Sequence, residues 1–159
     1  KGHAVLLKAW TTVAVRHPDA QLLVIGDGAL REELETGAPP SARFLGFRDD
    51  LPALYAGIDV LCLPSVRDEG CNNTLLEAMS YGCPALVSAC GGLPEIVTEQ
   101  TGRVVPVGDA DALAEALGTL LDDAGLRGAL GAAAAERIAA EFSLEAVTDQ
   151  FEALLRGLR

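Results

Sequence analysis

Two acids, Glu69 and Glu77, stand with seven residues between them in the stretch Pro64–Pro84, PSVRDEGCNNTLLEAMSYGCP. An apolar run at 59–63 precedes them and a helical pattern opens near Thr74, so the stretch reads as a strand-to-helix turn. Turns of that kind are where open α/β sheets keep ligands. On a helical wheel Leu75, Leu76 and Met79 share one face, while Asn73, Glu77 and Ser80 lie opposite. The first backbone N–H groups, those of Asn73, Thr74 and Leu75, lack partners inside such a helix and carry the positive end of its dipole. That combination seats a phosphate. Glu69 in the turn and Glu77 one turn into the helix flank the seat with carboxylates, which suit hydroxyl groups rather than the anion. A nucleotide sugar has that layout.

Each piece also has a plainer use. Thr74-x-x-Glu77 matches a capping box, in which Glu77 only satisfies a backbone N–H. Asn72 and Asn73 are ordinary cap residues, and Glu69 alone would be a solvated loop acid. The segments in order are more specific: EGCNNTLLEAMSYGCPALVS at Glu69–Ser88, GGLPEIV at Gly91–Val97 and GRVVPVGD at Gly102–Asp109. Together they resemble the signature of the retaining glycosyltransferases of the GT-B fold, the glycosyl transferases group 1. That signature reads roughly EGFGxxLLEAMAxGxPVVAS, then GGxPEIV, then GxLVPPGD. The resemblance runs through the whole chain and departs at Cys71 and Asn72, where the family commonly has Phe and Gly.

The resemblance implies transfer of a sugar from a UDP-, GDP- or ADP-sugar to an acceptor hydroxyl with the anomeric configuration kept, without a required metal or other cofactor. Glu69 becomes the candidate catalytic residue, holding donor-sugar hydroxyls, and Glu77 the ribose contact; neither is assigned as a covalent nucleophile. Lys1, Gly70, Cys71, Asn72, Asn73 and Thr74 complete the donor seat, with Lys1 and the helix amides meeting the diphosphate. Gly26, Phe47 and Arg48 are candidates for the base side, and Gly91 and Gly92 for a loop bordering sugar and phosphates. Residues 1–159 are expected to form one donor-binding domain, the C-terminal half of a two-domain enzyme. Family members place a strand ending in Gly-Arg before the Lys-Gly that matches Lys1-Gly2. That strand and the acceptor-binding domain are missing here, so the fragment is expected to be inactive alone. A cytoplasmic setting, at the inner face of a membrane through the missing domain, goes with this. A non-catalytic nucleotide-binding module and a GT-B-type nucleotide-sugar epimerase are the alternatives.

The elements that must position these residues follow from the rest of the chain. At 159 residues it can bury one core. Half the residues are apolar and 4% aromatic, which suits α/β layers better than a β-sandwich. A net charge of −11, with Lys1 and Lys8 the only lysines, argues against nucleic acid as a partner. No apolar run is long enough to span a membrane, and no export signal is seen. Cys62, Cys71, Cys83 and Cys90 have no zinc-type spacing and read as small apolar fillers, with Cys71 alone exposed in the loop. His3 and His17 mark the two ends of the first helix.

Short apolar runs at 21–25, 43–46, 59–63, 84–87 and 103–105 read as strands, and the third and fourth as strands buried on both faces. The Gly26-Asp27-Gly28 turn is a weak phosphate loop, because Arg31 stands where a third glycine would be. After the last strand Asp109 caps a helix, a second helix follows, and a third after Phe142-Ser143 turns Phe151 and Leu154 inward. The fold expected is a Rossmann-like, doubly wound parallel α/β sheet of about five short strands that lacks its first strand, with the site outside the strand C-termini.

Overall fold

The computed structural model describes residues 1–67 and 69–157. Helix α1 spans His3–Arg16 and leads to β1, Leu22–Ile25. Then follow α2 (Arg31–Thr36), β2 (Ala42–Gly46), α3 (Leu51–Gly57), β3 (Leu61–Leu63), α4 (Asn73–Ser80), β4 (Ala85–Ser88), α5 (Leu93–Ile96) and β5 (Gly102–Val105). The chain closes with α6 (Ala110–Asp122), α7 (Ala124–Arg137), a π-helical turn at Ile138–Phe142 and α8 (Leu144–Gly157). Asp109 caps α6 as expected, its carboxylate accepting the N–H groups of Asp111 and Ala112.

Among the described residues the strands pair only in parallel, each reached through a helix. Strand β4 shows why the fold is doubly wound. Its apolar side chains are all buried, and they alternate between two cores. Leu86 packs with Trp10 and Val13 of α1 and with Leu113 and Leu117 of α6. Ala85 and Val87 pack on the opposite face with Leu75 and Met79 of α4 and Leu93 of α5.

Pairing is interrupted at one place. Strands β1 and β2 form one ladder and β3, β4 and β5 another. Between β1 and β3 lies a cleft of about 660 Å³, lined by Trp10, Leu22, Val24, Leu61 and Cys62 among others. Strand β3 is therefore only half-buried, where the sequence suggested burial on both faces. Its residues are apolar enough for a central strand, but one edge has no neighbour among the described residues.

Helix α8 corrects a second expectation. Ser143 caps it through the N–H of Ala146, as the sequence indicates. Phe151 and Leu154, however, are 60% and 62% exposed rather than turned inward. With Leu144, Val147 and Leu155 they form an apolar stripe facing solvent.

Candidate functional site

Past Leu63 the chain turns through the buried Pro64 and Ser65 and enters α4 at Asn72. Asn72 has extended backbone, and its Oδ1 accepts the N–H of Leu75 at 3.1 Å. Asn72 is thus the helix cap, one position ahead of the Asn73 start, and Thr74 lies inside the helix. The capping box does not form. Glu77 Oε2 instead accepts the hydroxyl of Tyr55 from α3 at 3.0 Å. Burial, and then the bond to Glu77, push the Tyr55 phenol up to about 12, so it stays a donor at any ordinary pH. The cap on Leu75 also narrows the anion seat. Among the described residues, the N–H groups free at this end are those of Asn73 and Thr74, not Leu75.

Glu69 is 7% exposed and heavily bonded. Its Oε1 accepts Lys1 Nζ at 2.6 Å and Ser65 Oγ at 2.7 Å, and its Oε2 accepts Asn72 Nδ2 at 3.1 Å. Burial alone would raise its carboxyl pKa, but these donors outweigh burial and hold it at about 2. Lys1, expected at the diphosphate, is thus found on Glu69, while its own side chain stays 66% exposed. The backbone of Glu69 is held as firmly. Its carbonyl accepts the N–H of Gly92 at 2.9 Å, and Gly91 packs so closely that a Cβ there would lie 1.9 Å from that carbonyl oxygen. Gly91 also has φ of 55°, a left-handed conformation natural to glycine. The Gly91-Gly92 turn therefore clamps the acid-bearing loop, and a Cβ on Gly92 would lie 3.2 Å from the Gly70 carbonyl oxygen, a tight contact but a looser one.

Gly26, Phe47, Arg48, Tyr55 and Thr74 all line the one cleft beside β3, so the structure brings the expected base-side residues and the start of α4 together. Phe47 is 83% exposed there. Arg48 is paired through both Nε and Nη2 with Asp50, so its fork is already occupied. Cys71 is exposed with a free thiol. Among the described residues no group of His, Cys, Asp or Glu is placed to hold a metal ion, and no helix is long and apolar enough to cross a membrane.

Sequence reasoning missed Tyr55, Ser65 and Ser88. Ser65 had a faint signal, a hydroxyl just after the strand that precedes the acidic turn. Tyr55 and Ser88 had none, since each meets its partner across more than twenty residues of chain.

Solved structures set the class. A sucrose-phosphate synthase from Thermosynechococcus elongatus superposes over 96% of this chain and 42% of its own, with a TM-score of 0.78 and 30% identity. Anabaena HepE in complex with UDP does so over 99% and 45%, with a TM-score of 0.88 and 24% identity, which speaks to fold. The C-terminal domain of a glycosyl transferase group 1 family protein, LpcC of Francisella tularensis, matches over 91% and 80% at a TM-score of 0.81 and 25% identity. The architecture is that of a GT-B C-terminal domain. The profile of the glycosyl transferases group 1 matches residues 1–123, and the chain belongs to that family. It is 36% identical to a GDP-mannose-dependent monoacylated alpha-(1-6)-phosphatidylinositol monomannoside mannosyltransferase of Corynebacterium glutamicum, over 99% of this chain and 44% of that protein. It is 38% identical to a phosphatidyl-myo-inositol mannosyltransferase of Mycolicibacterium smegmatis, over 87% and 37%. The chain thus spans less than half the length of these curated relatives.

Proposed function

We propose that this chain is the donor-binding half of a retaining glycosyltransferase that takes a UDP-, GDP- or ADP-sugar. One observation carries the reading. The start of α4 offers two free amides, those of Asn73 and Thr74, between a carboxylate held by Lys1, Ser65 and Asn72 and another held by Tyr55. In this reading the diphosphate sits on the two amides. Glu77 takes ribose hydroxyls, and Glu69 takes hydroxyls of the sugar. Lys1 exchanges Glu69 for the phosphates and, with the amides, stabilises charge on the departing diphosphate. Gly26, Phe47 and Arg48 border the base, and Gly91-Gly92 holds the Glu69 loop in place. The GDP-mannose dependence printed for the Corynebacterium relative makes GDP-mannose the first donor to try.

We infer likewise that residues 1–159 form one donor-binding domain of a two-domain enzyme. Gly2 packs on the carbonyl of Pro64, just past the end of β3, so α1 starts beside the C-terminal mouth of the cleft between β1 and β3. A parallel strand running through that cleft would end there and pass straight into α1. Polypeptide ahead of Lys1 would supply that strand and an acceptor-binding domain. The exposed stripe on α8 offers that domain a surface to pack on.

The experiment is a transfer assay on the longer polypeptide, with GDP-mannose, UDP-glucose and ADP-glucose. Release of nucleoside diphosphate with an α-linked product supports the reading. Epimerised nucleotide sugar would replace it with the epimerase, and binding without turnover by the longer protein would leave a nucleotide-binding module.

A further inference from the structure

The described residues bury few polar groups: Ser65, Glu69, Ser88 and Thr101. Thr101 serves its own turn, bonding at Thr98. The other three form one chain of hydrogen bonds. Ser88, at the end of β4, donates its hydroxyl to the carbonyl of Ser65, and Ser65 donates its own to Glu69 Oε1 at 2.7 Å. Burying two hydroxyls, each 1% exposed, gains nothing over alanine unless their bonds matter.

We propose that Ser65, anchored by Ser88, is the positioning residue that aims Glu69 at the donor sugar; this rests on the donor-binding reading above. The carboxylate has about four acceptor positions. Lys1 and Ser65 fill those of Oε1, and Asn72 fills one on Oε2, which leaves one on Oε2 for a sugar hydroxyl. Of the donors, Lys1 is the exposed one, and an arriving diphosphate competes for it. Once Lys1 turns to the phosphates, Ser65 is what keeps Oε1 in place. Ser88 ties Ser65 to the sheet, and Asn72 ties Oε2 to the cap of α4. The sugar contact and the phosphate seat are thereby held at a fixed relation.

The test is calorimetry of the chain with GDP, UDP and ADP and with GDP-mannose, UDP-glucose and ADP-glucose, together with carbon NMR titration of the Glu69 carboxyl. In Ser65→Ala the diphosphates bind as before, the preferred nucleotide sugar binds about tenfold more weakly, and the Glu69 pKa rises. Ser65→Cys keeps the volume but only a weak donor, and falls on the same side should the alanine variant fold poorly. Adding Ser65→Ala to Glu69→Ala causes no further loss. Equal weakening of diphosphate and nucleotide sugar, or losses that add, would make Ser65 merely structural and overturn the proposal. If Glu69→Ala itself leaves sugar preference intact, the donor-binding reading fails first and takes the proposal with it. An effect of Glu69→Ala without one of Ser65→Ala defeats the proposal alone.

Discussion

A carboxylate with three donors behaves unlike one in water, and Glu69 has Lys1, Ser65 and Asn72. Its folded pKa, about 2 against an ordinary 4.5, is depressed, so it contributes stability that is fully present above pH 4.5 and is lost as pH falls through 2. Urea unfolding of Glu69→Gln beside the parent should show a stability gap that is constant above pH 5 and narrows as the pH is lowered below about 4. A gap that widens in acid would mean the carboxylate is not charged and paired. The two acids should also divide their labour. Loss of a hydrogen bond to a charged group costs about 1.5–3 kcal/mol, so Glu77→Ala should weaken free nucleoside diphosphate roughly tenfold or more. Tyr55→Phe should weaken it in the same direction by less, because the carboxylate remains but is no longer aimed. Glu69→Ala should not weaken the diphosphate, since it frees Lys1 for the phosphates, and should blunt the preference among sugars. Calorimetry decides, and equal effects of Glu69→Ala and Glu77→Ala on plain diphosphate would sink the assignment. A lower melting temperature for Glu77→Ala with unchanged affinity would instead give Glu77 a structural part.

Helix α4 is where local sequence and tertiary structure meet. Its wheel was readable: Leu75 and Met79 are fully buried and Asn73, Glu77 and Ser80 are exposed. Its cap was less so, since both Asn72 and Thr74 fit an N-cap and only the Leu75 N–H to Asn72 bond decides. Asn72→Ala removes the cap and one Glu69 donor together, and should cost about 1–2 kcal/mol in urea unfolding. Met79→Ala, which empties a core position, should cost about 2–5 kcal/mol. Helix α8 shows the limit of periodicity. An apolar stripe tells which side chains share a face, but not whether anything covers it, and Phe151 and Leu154 turned out uncovered. Phe151→Ser should therefore change the stability of this chain by no more than about 0.5 kcal/mol. A loss of several kcal/mol would place Phe151 in a core after all.

At the scale of the whole molecule, strands, helices and the acid-bearing turn were legible because their signals are local. The pairings that aim the site were not: Lys1 reaches Glu69 across 68 positions, Tyr55 reaches Glu77 across 22 and Ser88 reaches Ser65 across 23. Nor does an apolar run reveal that one of its edges has no partner among the described residues, which is why β3 read as a fully buried strand. The open cleft beside β3 and the bare stripe on α8 both fit a chain under half the length of its curated relatives. If acceptor binding belongs to a second domain, as proposed, residues 1–159 by themselves should bind nucleotide and transfer no sugar, because an acceptor must be oriented and water excluded. The measurement that tests this account most directly is a titration of the nitrogen-15-labelled chain with GDP, UDP and ADP, followed at the backbone amides. The account predicts saturable shifts of the Asn73 and Thr74 N–H signals, smaller ones at the capped Leu75, and a weakening of roughly tenfold or more in Glu77→Ala. Saturable shifts confined to Gly26–Gly28, or none at millimolar nucleotide, would contradict it.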